Sequence, residues 1–363
     1  MHAAGTLSAQ HGARFDWTLD ALASLRRELA RSADTHLLRL DLAAFPGIRF
    51  YFKDESTHPS GSLKHRLARS LFLYALCNGR LQRGQTVVDA SSGSTAISEA
   101  WFARMLGLPF VAVMPENTAP DKIDAVRALD GYCELTPVGA CTQTRAREIA
   151  AEGACHLDQF GLAERATDWR GNNNIAESII QQMRLEPDPE PAWIVCGAGT
   201  GGTSATIGRY LRYAGLRTRL CVAEPTGGAY AEGWRRRDTT AVATRTSVIE
   251  GIARPRVEPG FVFNVVDKVE EIDDVESIAA MWRLQELLGR RYGGSSGTNL
   301  VACIRLAQTM LQRGESGSIV TLLGDRGERY DRTLFDPNWL QRQGLDLAPA
   351  HAALDLQLQA ACA

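Results

Sequence analysis

Lys64 stands in the run Pro59-Ser60-Gly61-Ser62-Leu63-Lys64-His65-Arg66, where a proline and small residues lead into a helical pattern. An amine at the positive end of a helix, partly withdrawn from water, has its ammonium form disfavoured and becomes a nucleophile fit for Schiff-base chemistry. Taken alone, the run reads better as an exposed lysine in the first turn of an amphipathic helix. Two glycine-rich segments bear on that choice. Ser91-Ser92-Gly93-Ser94-Thr95 lies between the strand-like Thr86-Val87-Val88-Asp89-Ala90 and a helical pattern over residues 96–103. A turn dense in hydroxyls and backbone N–H groups suits an anion, or it simply caps the helix. Gly197-Ala198-Gly199-Thr200-Gly201-Gly202-Thr203 follows the apolar run 192–196 and precedes a helix over 205–213. It holds more glycine than capping requires and reads as a phosphate cradle, because glycine lets backbone amides approach an anion closely. No Gly-Lys-Ser/Thr ends it, so it is not a Walker loop, and neither its spacing nor an acid on the next strand matches a dinucleotide fingerprint.

The elements that must position these groups alternate after residue 45. Strands are expected over 48–53, 109–114, 133–137 and 220–224, and helices over 64–78, 119–129, 172–184 and 299–311, with Gly293–Gly297 as a turn before the last. Glu186-Pro187-Asp188-Pro189-Glu190-Pro191 reads as a connector. Such alternation predicts a predominantly parallel α/β arrangement. With 363 residues, 45% hydrophobic, the chain can build two domains with sizeable cores. A net charge of −2 makes no electrostatic case for nucleic acid or an anionic membrane, no stretch approaches a spanning helix, and the N-terminus lacks the order of a secretory signal. The cytoplasm is the expected location. The eight cysteines contain no Cys-x-x-Cys pair, and no ligand set for a metal or cluster is apparent. His2, His11 and His36 have no cysteine nearby to complete a haem pair.

The ordered motifs Pro-x-Gly-Ser-x-Lys-x-Arg, Ser-Ser-Gly-x-Thr, Gly-x-Gly-Thr-Gly-Gly-Thr and Gly-Gly-Ser-Ser-Gly-Thr, spread over residues 35–324, resemble the fold type II pyridoxal-phosphate enzymes. The closest resemblance is to the cysteine synthase and cystathionine β-synthase group, and within it to the L-cysteine desulfhydrase branch. That resemblance implies a two-domain tryptophan synthase β-like fold with pyridoxal 5′-phosphate in the interdomain cleft. Residues 45–158 would form the smaller domain, residues 1–44 and 159–345 the larger, and residues 346–363 a surface helix or disordered tail. It implies a covalent cofactor anchor at Lys64, a phosphate loop of Gly199, Thr200, Gly201, Gly202 and Thr203, and Ser295 on the pyridine nitrogen. A neutral hydroxyl there leaves the ring unprotonated, which suits β-elimination and β-replacement.

For the substrate carboxylate the resemblance implies Ser91, Ser92, Gly93 and Thr95, assisted by Gln159, with Gly251 lining the pocket. Ser94 stands where asparagine is commoner and would meet the cofactor ring hydroxyl through a water. His65 replaces a common aspartate and is expected to be a surface or supporting residue rather than an acid–base group. The implied activity is β-elimination on L-cysteine through aminoacrylate, giving hydrogen sulfide, pyruvate and ammonia, in a homodimer with no metal. Alternatives are β-replacement on O-acetylserine or serine, serine or threonine dehydration, and a non-enzymatic scaffold.

Overall fold

The computed structural model describes residues 2–359. The chain opens with α1 (His2–Ala30), β1 (His36–Leu40) and β2 (Ile48–Asp54), followed by α2 (Lys64–Cys77). Alternating strands and helices come next: β3 (Val87–Ala90), α3 (Ser94–Met105), β4 (Phe110–Pro115), α4 (Pro120–Arg127), β5 (Tyr132–Thr136), α5 (Thr142–Ala151), β6 (Cys155–His156) and α6 (Gln159–Ala166). After α7 (Ile175–Met183) come β7 (Trp193–Gly197), α8 (Gly202–Tyr213), β8 (Arg219–Pro225), α9 (Ala229–Arg236), β9 (Lys268–Ile272) and α10 (Asp274–Leu288). The chain finishes through α11 (Gly294–Gln312), β10 (Gly317–Leu323), α12 (Pro337–Arg342) and α13 (Ala348–Gln359).

These elements gather into two compact units. The first takes the chain up to Asp34 and Lys64–Leu162; the second takes Thr35–Leu63 and the chain from Ala163 onward. The first unit holds a four-stranded parallel sheet in the order β5-β4-β3-β6. Its inner strand β3 is buried throughout, as a strand inside a parallel sheet covered on both faces requires, whereas β5 at the sheet edge is exposed at Tyr132. The second unit holds a six-stranded sheet in the order β1-β2-β10-β7-β8-β9, parallel except for the β1–β2 pair.

The division departs from the expected boundaries at both ends. Residues 45–63 belong with the larger sheet, because β2 pairs along its whole length with β10, which is remote in sequence. The stretch before Asp34 belongs with the smaller unit, because α1 packs on α2, with Glu28 of α1 bonded to His65 and Arg69 of α2. Ser295 lies inside the first turn of α11 and not in a preceding turn. The glycines there serve a close helix crossing: a Cβ on Gly297 would stand 2.0 Å from the Ser277 carbonyl oxygen of α10. The expected tail is helical as α13, with Leu354 buried in the same cluster as Leu284 of α10. Cys77, Cys133, Cys141, Cys155, Cys196, Cys221 and Cys303 are all free, and Cys362 lies outside the described residues.

Candidate active site

Parallel sheets present ligand sites beyond the carboxyl ends of their strands, where helix N-termini converge. In the second unit, neighbouring β7 and β10 both end at such a place. β7 runs into Gly199–Thr203, and Gly201 caps α8 in the left-handed region with φ +83°. The first turn of α8 contains no acid, so its amides and the Thr203 hydroxyl meet an approaching anion without a competing carboxylate. Beyond β10, Gly324 lies against the Ser295 hydroxyl, which a Cβ on Gly324 would approach to 3.1 Å. The Leu63 N–H donates to the Gly324 carbonyl at 2.8 Å, and the next residue in the chain is Lys64. Ser295 is half-buried, whereas Ser296 is buried and accepts from the Gly324 N–H at 3.1 Å. Gly251, at φ +81°, is exposed in the loop after β8 and α9.

In the first unit, Lys64 is the first residue of α2 and is half-buried. It is one of four lysines in the chain, with Lys53, Lys122 and Lys268. Lys53 is fully buried and its Nζ donates to the Thr35 carbonyl and to Gln182 Oε1, while Lys268 pairs with Glu270 at 2.5 Å. Ser91–Thr95 turns from β3 into α3, and the Ser91 hydroxyl accepts from the Gly93 and Ala96 amides at 3.4 and 3.2 Å. Ser91, Ser92, Gly93 and Ser94 are half-buried; Thr95 is buried. Gln159 is only 3% exposed, and its Nε2 donates to the Ala90 carbonyl at 2.9 Å, so it braces the loop from beneath.

A pyridoxal-phosphate dependent enzyme family matches residues 31–325. The chain belongs to that family. It is 53% identical to the L-cysteine desulfhydrase Cds1 of Mycobacterium tuberculosis (strain ATCC 25177 / H37Ra), over 93% of each chain. It is 29% identical to cysteine synthase 1 of Emericella nidulans, over 88% of this chain and 87% of that one. Among solved structures, O-ureido-L-serine synthase matches with a TM-score of 0.75 and 28% identity, covering 90% of this chain and 98% of that one.

The residues present fit the cofactor of this family. A phosphate needs several N–H donors, hydroxyls and no adjacent acid, which is what the start of α8 offers. An unprotonated pyridine nitrogen needs a hydroxyl partner, and Ser295 supplies one in a first turn that itself contains no acid.

Of the two expectations for His65, the supporting role holds and the surface position does not. The residue is fully buried, with its Nε2 2.9 Å from Glu28 Oε1 and its ring against Trp101 and Phe102. Arg69 Nε donates to the other Glu28 oxygen at 2.9 Å. Burial works against the Glu28 charge, but the His65 and Arg69 contacts outweigh it and hold the carboxyl below its usual range. His65 therefore ties α2 to α1.

The phosphate-loop candidate also has support that sequence reasoning missed. The Tyr230 hydroxyl donates to the Gly199 carbonyl, and its ring stacks on Phe261 with centroids 4.1 Å apart. Glu224, closing β8, accepts from the Tyr230 and Ala231 amides and so fixes the start of α9. The signal was an acid ending an otherwise apolar strand. Burial raises the Glu224 pKa to about 7, despite the two amides that favour its charge. The folded protein therefore binds this proton more tightly than the unfolded chain. Its contribution to stability is present in full below the unfolded value and is lost as pH rises through about 7. Between pH 5 and 8 the loss should approach ~3 kcal/mol. Urea unfolding across that range measures it, and Glu224→Gln should flatten the slope; an unchanged slope refutes the assignment.

Proposed function

We propose that this chain is a carbon–sulfur lyase that converts L-cysteine and water into hydrogen sulfide, pyruvate and ammonia with pyridoxal phosphate. The observation that carries the reading is 53% identity across 93% of both chains to an L-cysteine desulfhydrase, against 29% to a cysteine synthase. When bound, the cofactor draws electrons from the substrate α-carbon, which lets a proton leave there and a thiolate leave from the β-carbon.

The remaining work falls to the chain. Lys64 anchors the cofactor and moves the proton at the α-carbon. The Gly199–Thr203 amides, with the Thr200 and Thr203 hydroxyls, hold the phosphate at the α8 N-terminus. The Ser295 hydroxyl donates to the ring nitrogen without protonating it, so electron withdrawal stays moderate and β-elimination is favoured over reactions needing a longer-lived carbanion. The amides of Ser91–Thr95 receive the substrate carboxylate, with Ser94 reaching the cofactor ring hydroxyl through water, and Gly251 lines the pocket. The assembly is a homodimer in the cytoplasm. Among the described residues, no helix is long and apolar enough to cross a membrane.

Product analysis on the purified enzyme tests the reading. L-cysteine should give sulfide and pyruvate in equal amounts, faster than O-acetylserine with sulfide gives cysteine. The reverse order makes it a β-replacement enzyme, and 2-oxobutyrate from threonine as the fastest product makes it a dehydratase. Purified protein without cofactor absorbance supports a scaffold.

A further inference from the structure

Glu99 lies one turn into α3, four residues after Thr95, and is fully buried. Neither of its carboxyl oxygens meets a hydrogen-bond donor among the described residues. Its polar neighbour is Asp89, at the end of β3, whose oxygens are occupied. Asp89 Oδ1 accepts from the Ala90 N–H at 2.7 Å, Oδ2 accepts from the Gln159 N–H at 3.0 Å, and His156 Nε2 lies 3.3 Å from Oδ1. Two adjacent carboxylates offer acceptors only, so the contact needs a proton. Asp89 is served by three nitrogen groups. Glu99 has none and is the carboxyl that holds the proton, in keeping with a pKa raised well above the usual carboxylate value by burial and by the Asp89 charge.

The loop that begins at Ser91 hangs from this pair. Asp89 grips the Gln159 backbone, Gln159 returns its side-chain N–H to the Ala90 carbonyl, and Ala90 leads directly into Ser91–Thr95. We propose that Glu99 is a positioning residue for recognition of the substrate α-carboxylate, donating its proton to Asp89 so that the Asp89–Gln159–Ala90 clasp holds the loop amides in register. A buried acid–acid contact can fix orientation even where apolar packing would be as stable. This inference rests on the proposed role of Ser91–Thr95 and not on the identity of the side chain expelled.

Two variants separate the donor from the bulk. Glu99→Gln keeps an N–H donor toward Asp89; Glu99→Met keeps the volume and removes it. In the holoenzyme, Glu99→Met should raise KM for L-cysteine about tenfold with kcat within about twofold of wild type, and Glu99→Gln should restore both. L-alanine, which has a carboxylate and no leaving group, should bind Glu99→Met about tenfold more weakly by cofactor absorbance, whereas ethylamine binding should be unchanged. The L-alanine arm stands even if L-cysteine proves not to be the substrate. An unchanged KM and L-alanine affinity in Glu99→Met, equal losses in both variants, or an equal loss for ethylamine overturns the proposal.

Discussion

Replacing Lys64 by alanine should stop turnover, lowering kcat by about 10⁴-fold, the upper range for loss of a positioned proton-transfer group. The protein should remain folded, with Tm within a few degrees of wild type, because the half-buried side chain at the start of α2 is not part of an apolar core. Competition among lysines sharpens the test. Lys53 has its ammonium engaged inside the second unit, Lys268 is paired with Glu270, and Lys122 sits on α4. Borohydride reduction of the wild-type holoenzyme should therefore leave a pyridoxyl group on the Lys64 peptide alone, and reduction of Lys64→Ala should label no peptide. A label on any of the other three lysines would remove the anchor from Lys64.

What could be read from the chain follows the range of the interactions involved. β2, β7 and β8 were legible because each is a buried apolar run bounded by turn residues, a property of five to seven consecutive positions. The membership of β2 was not, since its pairing with β10 depends on residues about 270 positions away, and strand register across such a span leaves no local trace. α10 was missed although Asp273 and Glu276 form a reciprocal capping box, a signature that was there to be read. The glycines at 293–297 read locally as turn residues, whereas Gly297 permits a backbone approach between two helices. That requirement belongs to the partner helix and cannot be seen from one segment. The same holds around the site. The loops stood out by composition, but Asp89, Glu99, Glu224 and Tyr230 act from behind them. Their only local signal was an acid or a hydroxyl inside an apolar run, and its meaning depends on what folds against it.

Replacing Gly201 by alanine should weaken pyridoxal-phosphate binding about 100-fold and lower stability by about 3 kcal/mol, the sum of left-handed strain in a non-glycine residue and overpacking against backbone. Gly201 has φ +83°, and a Cβ there would stand 2.4 Å from the Gly260 carbonyl carbon and from the Phe261 nitrogen. Neither neighbour is a flexible side chain that could swing aside. The loop would have to move away from residues 260–261, carrying with it the amides that open α8 and the Gly199 carbonyl held by Tyr230. The cost therefore does not require a negative charge at position 201; a methyl group is enough. Gly202→Ala serves as the matched control. Its φ is not positive, and its Cβ would come no closer than 3.0 Å, to the methyl of Ala163, so it should lose much less. Titration of the two apo-proteins with pyridoxal phosphate, alongside urea unfolding, reads both effects. Wild-type cofactor affinity in a destabilised Gly201→Ala protein would mean that this loop packs against residues 260–261 without holding the phosphate.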